Sequence, residues 1–214
     1  MSAEAVRVLA IRHGETAWNV DTRIQGHRDI ALNDTGRWQA AQVARALAGE
    51  PIAAVYASDL LRAHATGAAI ADAASAPLHA EPGLRERSFG AFEGRTFAEI
   101  EAEQPEHALR WRKRDPLYAP EGGESLTLLQ ARIADVTTRL AARHLGEQIV
   151  LVAHGGVLDV LYRLATGQAL QAPRTWQLTN TAINRLLWTP EALTLVGWGD
   201  TQHLDSAARE ESTT

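Results

Sequence analysis

The sequence predicts an α/β fold: a three-layer α/β/α sandwich around a mostly parallel central sheet. Two apolar runs carry that expectation. Residues 6–11 lead into Arg12-His13-Gly14-Glu15-Thr16, and residues 149–153 lead into His154-Gly155-Gly156. Each run reads as a buried strand that hands a histidine to the loop at its carboxyl end. Between them, short apolar runs alternate with amphipathic helical stretches, the pattern of parallel βαβ units.

The elements come in this order. Strand one covers residues 6–11, and a polar loop leads on from it through Arg23-Ile24-Gln25-Gly26-His27-Arg28-Asp29. Asn33, Asp34 and Thr35 offer caps, and Gly49 a stop, for a helix that reaches Ala48. Its apolar stripe is Trp38, Ala41, Val43, Ala44 and Leu47. Residues 53–57 read as strand two, with Ser58-Asp59 capping a helix over 60–74 that carries Arg62 in its first turn. Residues 78–80 make a short third strand, and residues 84–90 an irregular segment. Thr96 and Glu99 form a capping box that opens a helix, and Pro105, Pro116 and Pro120 break up the segment after it. Residues 125–145 form a long amphipathic helix stopped by Gly146. Strand four is 148–153, and a helix covers 157–165. Residues 182–188 and 193–198 pair as a hairpin around Thr189-Pro190-Glu191-Ala192. With no internal repeat and no low-complexity linker, the sequence reads as one domain over 1–204 and a polar, mobile tail over 205–214.

Composition narrows the function. A chain of 214 residues, 45% apolar and 22% charged, is long enough for one large core and has an ordinary globular composition. A formal net charge of −5 argues against nucleic acid or a membrane surface as partner, since either needs a basic face. The lack of cysteine excludes disulfides, thiolate zinc sites, iron–sulfur clusters and cysteine nucleophiles. No stretch is apolar enough to span a bilayer, and residues 1–12 lack a secretory pattern, so the expected location is cytoplasmic.

Two histidines brought to the carboxyl end of a parallel sheet, with Arg12 beside one, point to an anion and to chemistry on it. A phosphoryl-transfer site needs planar guanidinium forks for phosphate oxygens, a neutral imidazole as nucleophile and a carboxylic acid to protonate the leaving alkoxide. The sequence offers a candidate for every role: His13 and Arg12 after strand one, Arg62 after strand two, His154 after strand four, and Glu86 in the irregular segment. Arg62 sits at the helix end that the macrodipole makes unfavourable for a cation, a cost that a bound anion would offset.

Arg12-His13-Gly14-Glu15-Thr16-Ala17-Trp18-Asn19 resembles the signature of the histidine phosphatase superfamily, the phosphoglycerate-mutase-like proteins. The resemblance continues through Gln25-Gly26, Asp29, Leu32, Gly36 and Ser58-Asp59-Leu60-Leu61-Arg62-Ala63. It resumes at Leu84-Arg85-Glu86, Phe89-Gly90-Ala91-Phe92-Glu93-Gly94, Gly122-Gly123-Glu124-Ser125 and His154-Gly155-Gly156. It implies that His13 is the phosphorylated nucleophile and that Arg12, Arg62 and His154 clamp the phosphoryl oxygens. Glu86 is implied as proton donor and then base for water. Asn19, Gln25, Gly26 and Gly155 are implied to contact phosphate or substrate, and Arg87 sits where the mutases place a substrate contact. No metal is implied.

The same resemblance separates two activities. Mutases of the family carry a longer, basic insertion after the Phe-Gly segment. Here the stretch between Gly94 and Ser125 is short and proline-broken, and Arg112-Lys113-Arg114 is at most a partial substitute. The expectation is therefore a metal-independent phosphomonoesterase for a small phosphorylated metabolite, with no cofactor. The alternative is a phosphoglycerate mutase that uses 2,3-bisphosphoglycerate. A catalytically dead phosphoryl-binding protein is disfavoured, because every catalytic residue type is present. Arg110, Arg112, Lys113 and Arg114 read as a solvated helix end or as a lid that meets an anion. Trp18 and Trp111 read as packing residues. His27, His64, His79, His107, His144 and His203 read as structural or surface residues.

Overall fold

The computed structural model describes residues 5–205. The expected mobile tail lies outside the described residues apart from Asp205, which closes a short helical turn. Six strands, β1 (Val6–Arg12), β2 (Ala54–Ala57), β3 (Leu78–Ala80), β4 (Gln148–Ala153), β5 (Ile183–Trp188) and β6 (Leu193–Asp200), form one sheet in the order β3-β2-β4-β1-β5-β6. The β3, β2, β4 and β1 strands are parallel. β5 runs antiparallel to β1, and β6 returns antiparallel to β5. The mostly parallel sheet is as expected.

The helices are α1 (Ala17–Val20), α2 (Asp34–Leu47), α3 (Leu61–Ala74), α4 (Phe97–Glu103), α5 (Pro105–Arg112), α6 (Leu126–Ala141) and α7 (Gly155–Thr166). Strand alternation sorts them into two layers. Val6, Val8 and Ala10 of β1 join Leu129, Ile133 and Leu140 of α6 and Val157, Leu158 and Leu161 of α7 in one core cluster. Leu9 and Ile11, on the opposite face, join Val43 and Leu47 of α2 and Ile70 and Ala71 of α3. A small third cluster, Phe92, Ile100, Ala108 and Tyr118, packs with Phe89, Phe97 and Trp111. None of the described helices is long and apolar enough to cross a membrane.

Away from the site, local readings change at three places. Ser58 and Asp59 do not cap α3: its N-cap is Leu60, without a side-chain cap, and the N–H of Leu61 donates to Asp29 Oδ1 at 2.7 Å. The Asp59 carboxylate is taken by Arg85, and the Ser58 hydroxyl by a histidine described below. Pro105 starts α5 instead of only breaking the chain, because the first helical position needs no N–H donor. The α6 helix ends at Ala141, short of Leu145. Arg143 and His144 donate to Leu140 and Ala141 in a tightened exit, which brings the His144 ring 2.8 Å from the Tyr56 hydroxyl.

Candidate active site

Arg12 and Ala153 are neighbours at the carboxyl ends of β1 and β4, and the His13 N–H donates to the Ala153 carbonyl at 3.0 Å. The next residue on each strand is a histidine, so strand register alone sets the two rings side by side. Their centroids are 5.2 Å apart and their planes inclined at 56°. Both side chains are buried.

His13 Nδ1 lies 2.6 Å from the Gly14 carbonyl oxygen. A carbonyl can only accept, so Nδ1 carries the proton and Nε2 holds the lone pair of the neutral ring. Burial, then the charges of Arg12 and Arg62, holds His13 well below its ordinary value. Burial, then Arg62, His13 and Arg12, does the same to His154. The His154 Nε2 is 2.8 Å from Ser58 Oγ, while its Nδ1 is buried and unpartnered.

The two arginines are held from behind. Arg62 is fully buried, and its Nη1 and Nη2 each donate at 2.8 Å, to the Arg28 and Gly26 carbonyls. Arg12 Nη1 donates to the Leu178 carbonyl at 2.5 Å. The Nε of each is buried without a partner. Buried donors are rarely left so, yet the two Nε groups and His154 Nδ1 all belong to this one group of side chains.

Glu86 comes from the segment after β3 and reaches the N-terminus of α7. The Gly156 N–H donates to Oε1 and Oε2 at 3.1 and 3.0 Å, and the Arg87 N–H donates to Oε1 at 2.7 Å. A methyl group on Gly156 would stand 2.3 Å from Oε1, so glycine permits the approach. A Cβ on Gly155 would lie 3.8 Å from Arg12 Nε and 3.9 Å from Glu86 Oε2, which places that residue between the two side chains. The helix α7 begins at Gly155 and not at Val157 as expected, so its first N–H groups open directly beside His154, that of Gly156 being taken by Glu86.

Asn19, Gln25 and Gly26 are tied to the loop after β1 and to Arg62. Asn19 Oδ1 accepts from the Thr16 N–H at 3.0 Å, and Gln25 Oε1 accepts from the Thr16 hydroxyl at 3.0 Å. Gly26 contributes its carbonyl to Arg62.

The family model described as histidine phosphatase superfamily (branch 1) matches residues 8–201. The chain belongs to this superfamily. It is 38% identical over 202 residues to phosphoglycerate mutase-like protein 4 of Arabidopsis thaliana, covering 92% of this chain and 86% of that one. It is 35% identical over 210 residues to a metal-independent phosphoserine phosphatase of the same plant, covering 96% and 86%. The solved mycobacterial glucosyl-3-phosphoglycerate phosphatase superposes with a TM-score of 0.83 at 30% identity, covering 92% of this chain and all (100%) of that one.

In this histidine phosphatase a cavity of about 430 Å³ opens from Arg12, Gly155 and Gly156. Its walls include Arg87, Phe89, Trp111, Arg114, Asp159 and Arg174. A larger cavity of about 550 Å³, between α2 and the β5–β6 hairpin, contains none of the residues above and is not the site. Arg87 donates to the Glu124 and Tyr118 carbonyls, and its guanidinium stands 5.4 Å from the Phe89 ring. Phe89 and Trp111 stack at 5.0 Å, so Trp111 both packs and lines the cavity, whereas Trp18 lies over Gly94.

The basic run divides. Arg110 pairs with Asp115 and Arg112 with Glu101 on the solvated side, while Arg114 turns inward to Asp159 and the Leu170 carbonyl. Sequence reasoning missed Ser58 behind His154. It also missed Asn180, whose amide donates to the His13 carbonyl at 2.7 Å, and His27, whose Nε2 lies 2.8 Å from the Glu86 carbonyl. Ser58 lies within a matched segment, where in sequence it reads as a helix cap. Asn180 and His27 carried no periodicity or spacing signal.

Proposed function

We propose that this histidine phosphatase is a metal-independent phosphomonoesterase for a small phosphorylated metabolite, working through a phosphohistidine at His13. One observation carries the reading. The two buried imidazoles lie side by side at the ends of β1 and β4, and Arg12 Nε, Arg62 Nε and His154 Nδ1 are buried without a hydrogen-bond partner. Such an arrangement suits a phosphoryl dianion.

The roles follow from the atoms. His13 Nε2 attacks phosphorus in line, and the ester P–O bond breaks. Glu86, protonated for this step, gives its proton to the departing alkoxide. Its carboxylate then takes a proton from water, whose oxygen attacks phosphorus, breaks the P–N bond and releases inorganic phosphate. Arg12, Arg62 and His154 hold the equatorial oxygens throughout. Ser58 Oγ accepts from the Leu60 N–H, so its own hydrogen is free to donate to His154 Nε2 and leave Nδ1–H for phosphate. The Gly155 N–H at the start of α7 adds a further donor.

Guanidinium groups supply the positive charge that a metal supplies elsewhere, and a phosphoserine phosphatase relative is named metal-independent. Among the described residues no group of three or more His, Asp or Glu side chains is placed to hold a metal ion. The reading takes residues 1–204 as one catalytic domain, supported by a family match over 8–201, and places it in the cytoplasm. A mutase reading draws on Arg87 and Phe89 in the cavity wall and on the mutase-like relative.

The test is hydrolysis of p-nitrophenyl phosphate with a chelator present, alongside His13→Ala. Chelator-resistant activity, an acid-labile phosphoenzyme and loss of both in the variant are expected. Equal activity in both proteins overturns the reading. Fast 2- to 3-phosphoglycerate interconversion, stimulated by 2,3-bisphosphoglycerate with little phosphate release, establishes the mutase instead.

A further inference from the structure

The cavity of about 550 Å³ between α2 and the β5–β6 hairpin lies apart from the phosphoryl site, and several of its polar groups have no partner. Gln42 lines it from α2. The residue is only 5% exposed, yet its side-chain amide makes no hydrogen bond among the described residues. A buried polar group of this kind costs free energy unless something pairs with it. Arg45 is three residues on and so shares that face of α2. Its exposed guanidinium makes no hydrogen bond or ion pair among the described residues either.

Another wall comes from β5. Arg185 donates from Nη1 to Asp200 Oδ2 at 2.8 Å, and its Nε and Nη2 make no hydrogen bond among the described residues. Both carboxylates of the cavity are already engaged. Asp200 holds Arg185 and accepts the Gln202 N–H at Oδ1, while the exposed Glu50 accepts from Gln148 Nε2 at 3.1 Å. His203 also lines the cavity, and burial holds it below its ordinary value, so it adds no charge at neutral pH. Two arginines thus face two carboxylates, and recognition rests on directed donors and not on an excess of charge. The donors left over are the Arg45 guanidinium, the remaining N–H groups of Arg185 and the Gln42 amide. Leu47 and Ile183 add apolar surface for an organic body.

We propose that this cavity is a second anion site, taking a small organic oxyanion whose oxygens meet Gln42, Arg45 and the open side of Arg185. Planar guanidinium groups pair with carboxylate and phosphate oxygens alike, so the shared chemistry is the oxyanion. The cavity of about 550 Å³ admits a ligand of metabolite size. The site stands independently of the phosphomonoesterase reading, because it shares no lining residue with the cavity at Arg12 and Gly155.

The test is binding resolved residue by residue. Citrate and methylenediphosphonate, a pyrophosphate analogue that resists hydrolysis, are each titrated into isotope-labelled protein while backbone amide NMR signals are followed. Saturable shifts are expected over residues 42–46 and 183–185, with a dissociation constant separate from that of any shifts at His13 and Gly155. Arg45→Gln removes one charge-assisted contact and is expected to weaken the first set about tenfold, leaving the second unchanged. Gln42→Leu, close in volume, is expected to weaken the same set, and a melting curve shows whether it remains folded. Arg45 is exposed, so its variant decides the matter if Gln42→Leu unfolds. The tighter probe identifies the preferred group as carboxylate or phosphate. No saturable shift along α2 and β5 with either probe at about 10 mM, or equal affinity in Arg45→Gln, overturns the site.

Discussion

The backbone N–H of Gly156 points at the Glu86 carboxylate, 3.0 Å from Oε2 and 3.1 Å from Oε1. A residue distant in the chain is thus anchored at the same helix start that comes after His154. Changing Glu86 to Gln preserves the shape and removes the transferable proton. Turnover of alkyl phosphates is expected to fall about a hundredfold, and that of p-nitrophenyl phosphate much less, since its phenolate leaves unaided. Steady-state rates on both esters decide it; equal losses remove Glu86 from the acid role.

Gly156→Ala tests the anchor itself. The added methyl group overlaps Glu86 Oε1, and the carboxylate has to move. A displacement of about 1 Å is enough for a loss on the order of tenfold or more in alkyl phosphate turnover. The loss is expected to be smaller on p-nitrophenyl phosphate. A variant with wild-type rates on both would mean that the Glu86 position is not fixed by this contact.

Oxyanion binding is expected to stabilise the fold. Orthovanadate or inorganic phosphate at about a hundred times its dissociation constant contributes roughly 2.7 kcal/mol to unfolding free energy. The rise in melting temperature is expected to persist with chelator and to shrink in Arg62→Lys, which lacks the second arm that grips both the Gly26 and Arg28 carbonyls. A rise abolished by chelator would contradict a metal-free site.

The buried histidines set a pH dependence. The folded values of His13 and His154 lie well below their ordinary value, with burial the leading cause in each. Below about pH 6.5 the unfolded chain binds protons that the folded chain refuses, so stability falls as pH drops and is fully present above that point. Inside that window each histidine contributes a slope of at most about 1.4 kcal/mol per pH unit. Urea unfolding between about pH 7.5 and pH 5.5 measures it. His13→Asn is expected to flatten the decline, and an unchanged slope would place the titration elsewhere. The same shift keeps the His13 lone pair free in mild acid, so any acid limb of kcat/KM due to His13 lies below the ordinary imidazole range.

Much of this was readable from residues 6–13 and 148–154, because an apolar run that ends in a histidine specifies both a buried strand and the place where its loop emerges. Arg62 and Glu86 came from matched segments. Elements held by distant partners were harder to read. Ser58-Asp59 is a good local cap in sequence, yet His154 and Arg85 compete successfully for those side chains, and Asp29 supplies the cap from another loop. Arg114 belongs to a run of like charges, and only its left-handed turn, fixed by Asp159 and Leu170, separates it from its solvated neighbours.

The placement of β4 between β1 and β2 governs how the molecule is made. The first two strands emerge early during synthesis, yet neither finds its central neighbour until Gln148–Ala153 has left the ribosome. Through that interval the nascent chain carries open strand edges, the condition under which aggregation competes with folding. Catalytic competence therefore arrives late, with the strand that carries the second imidazole also closing the middle of the sheet.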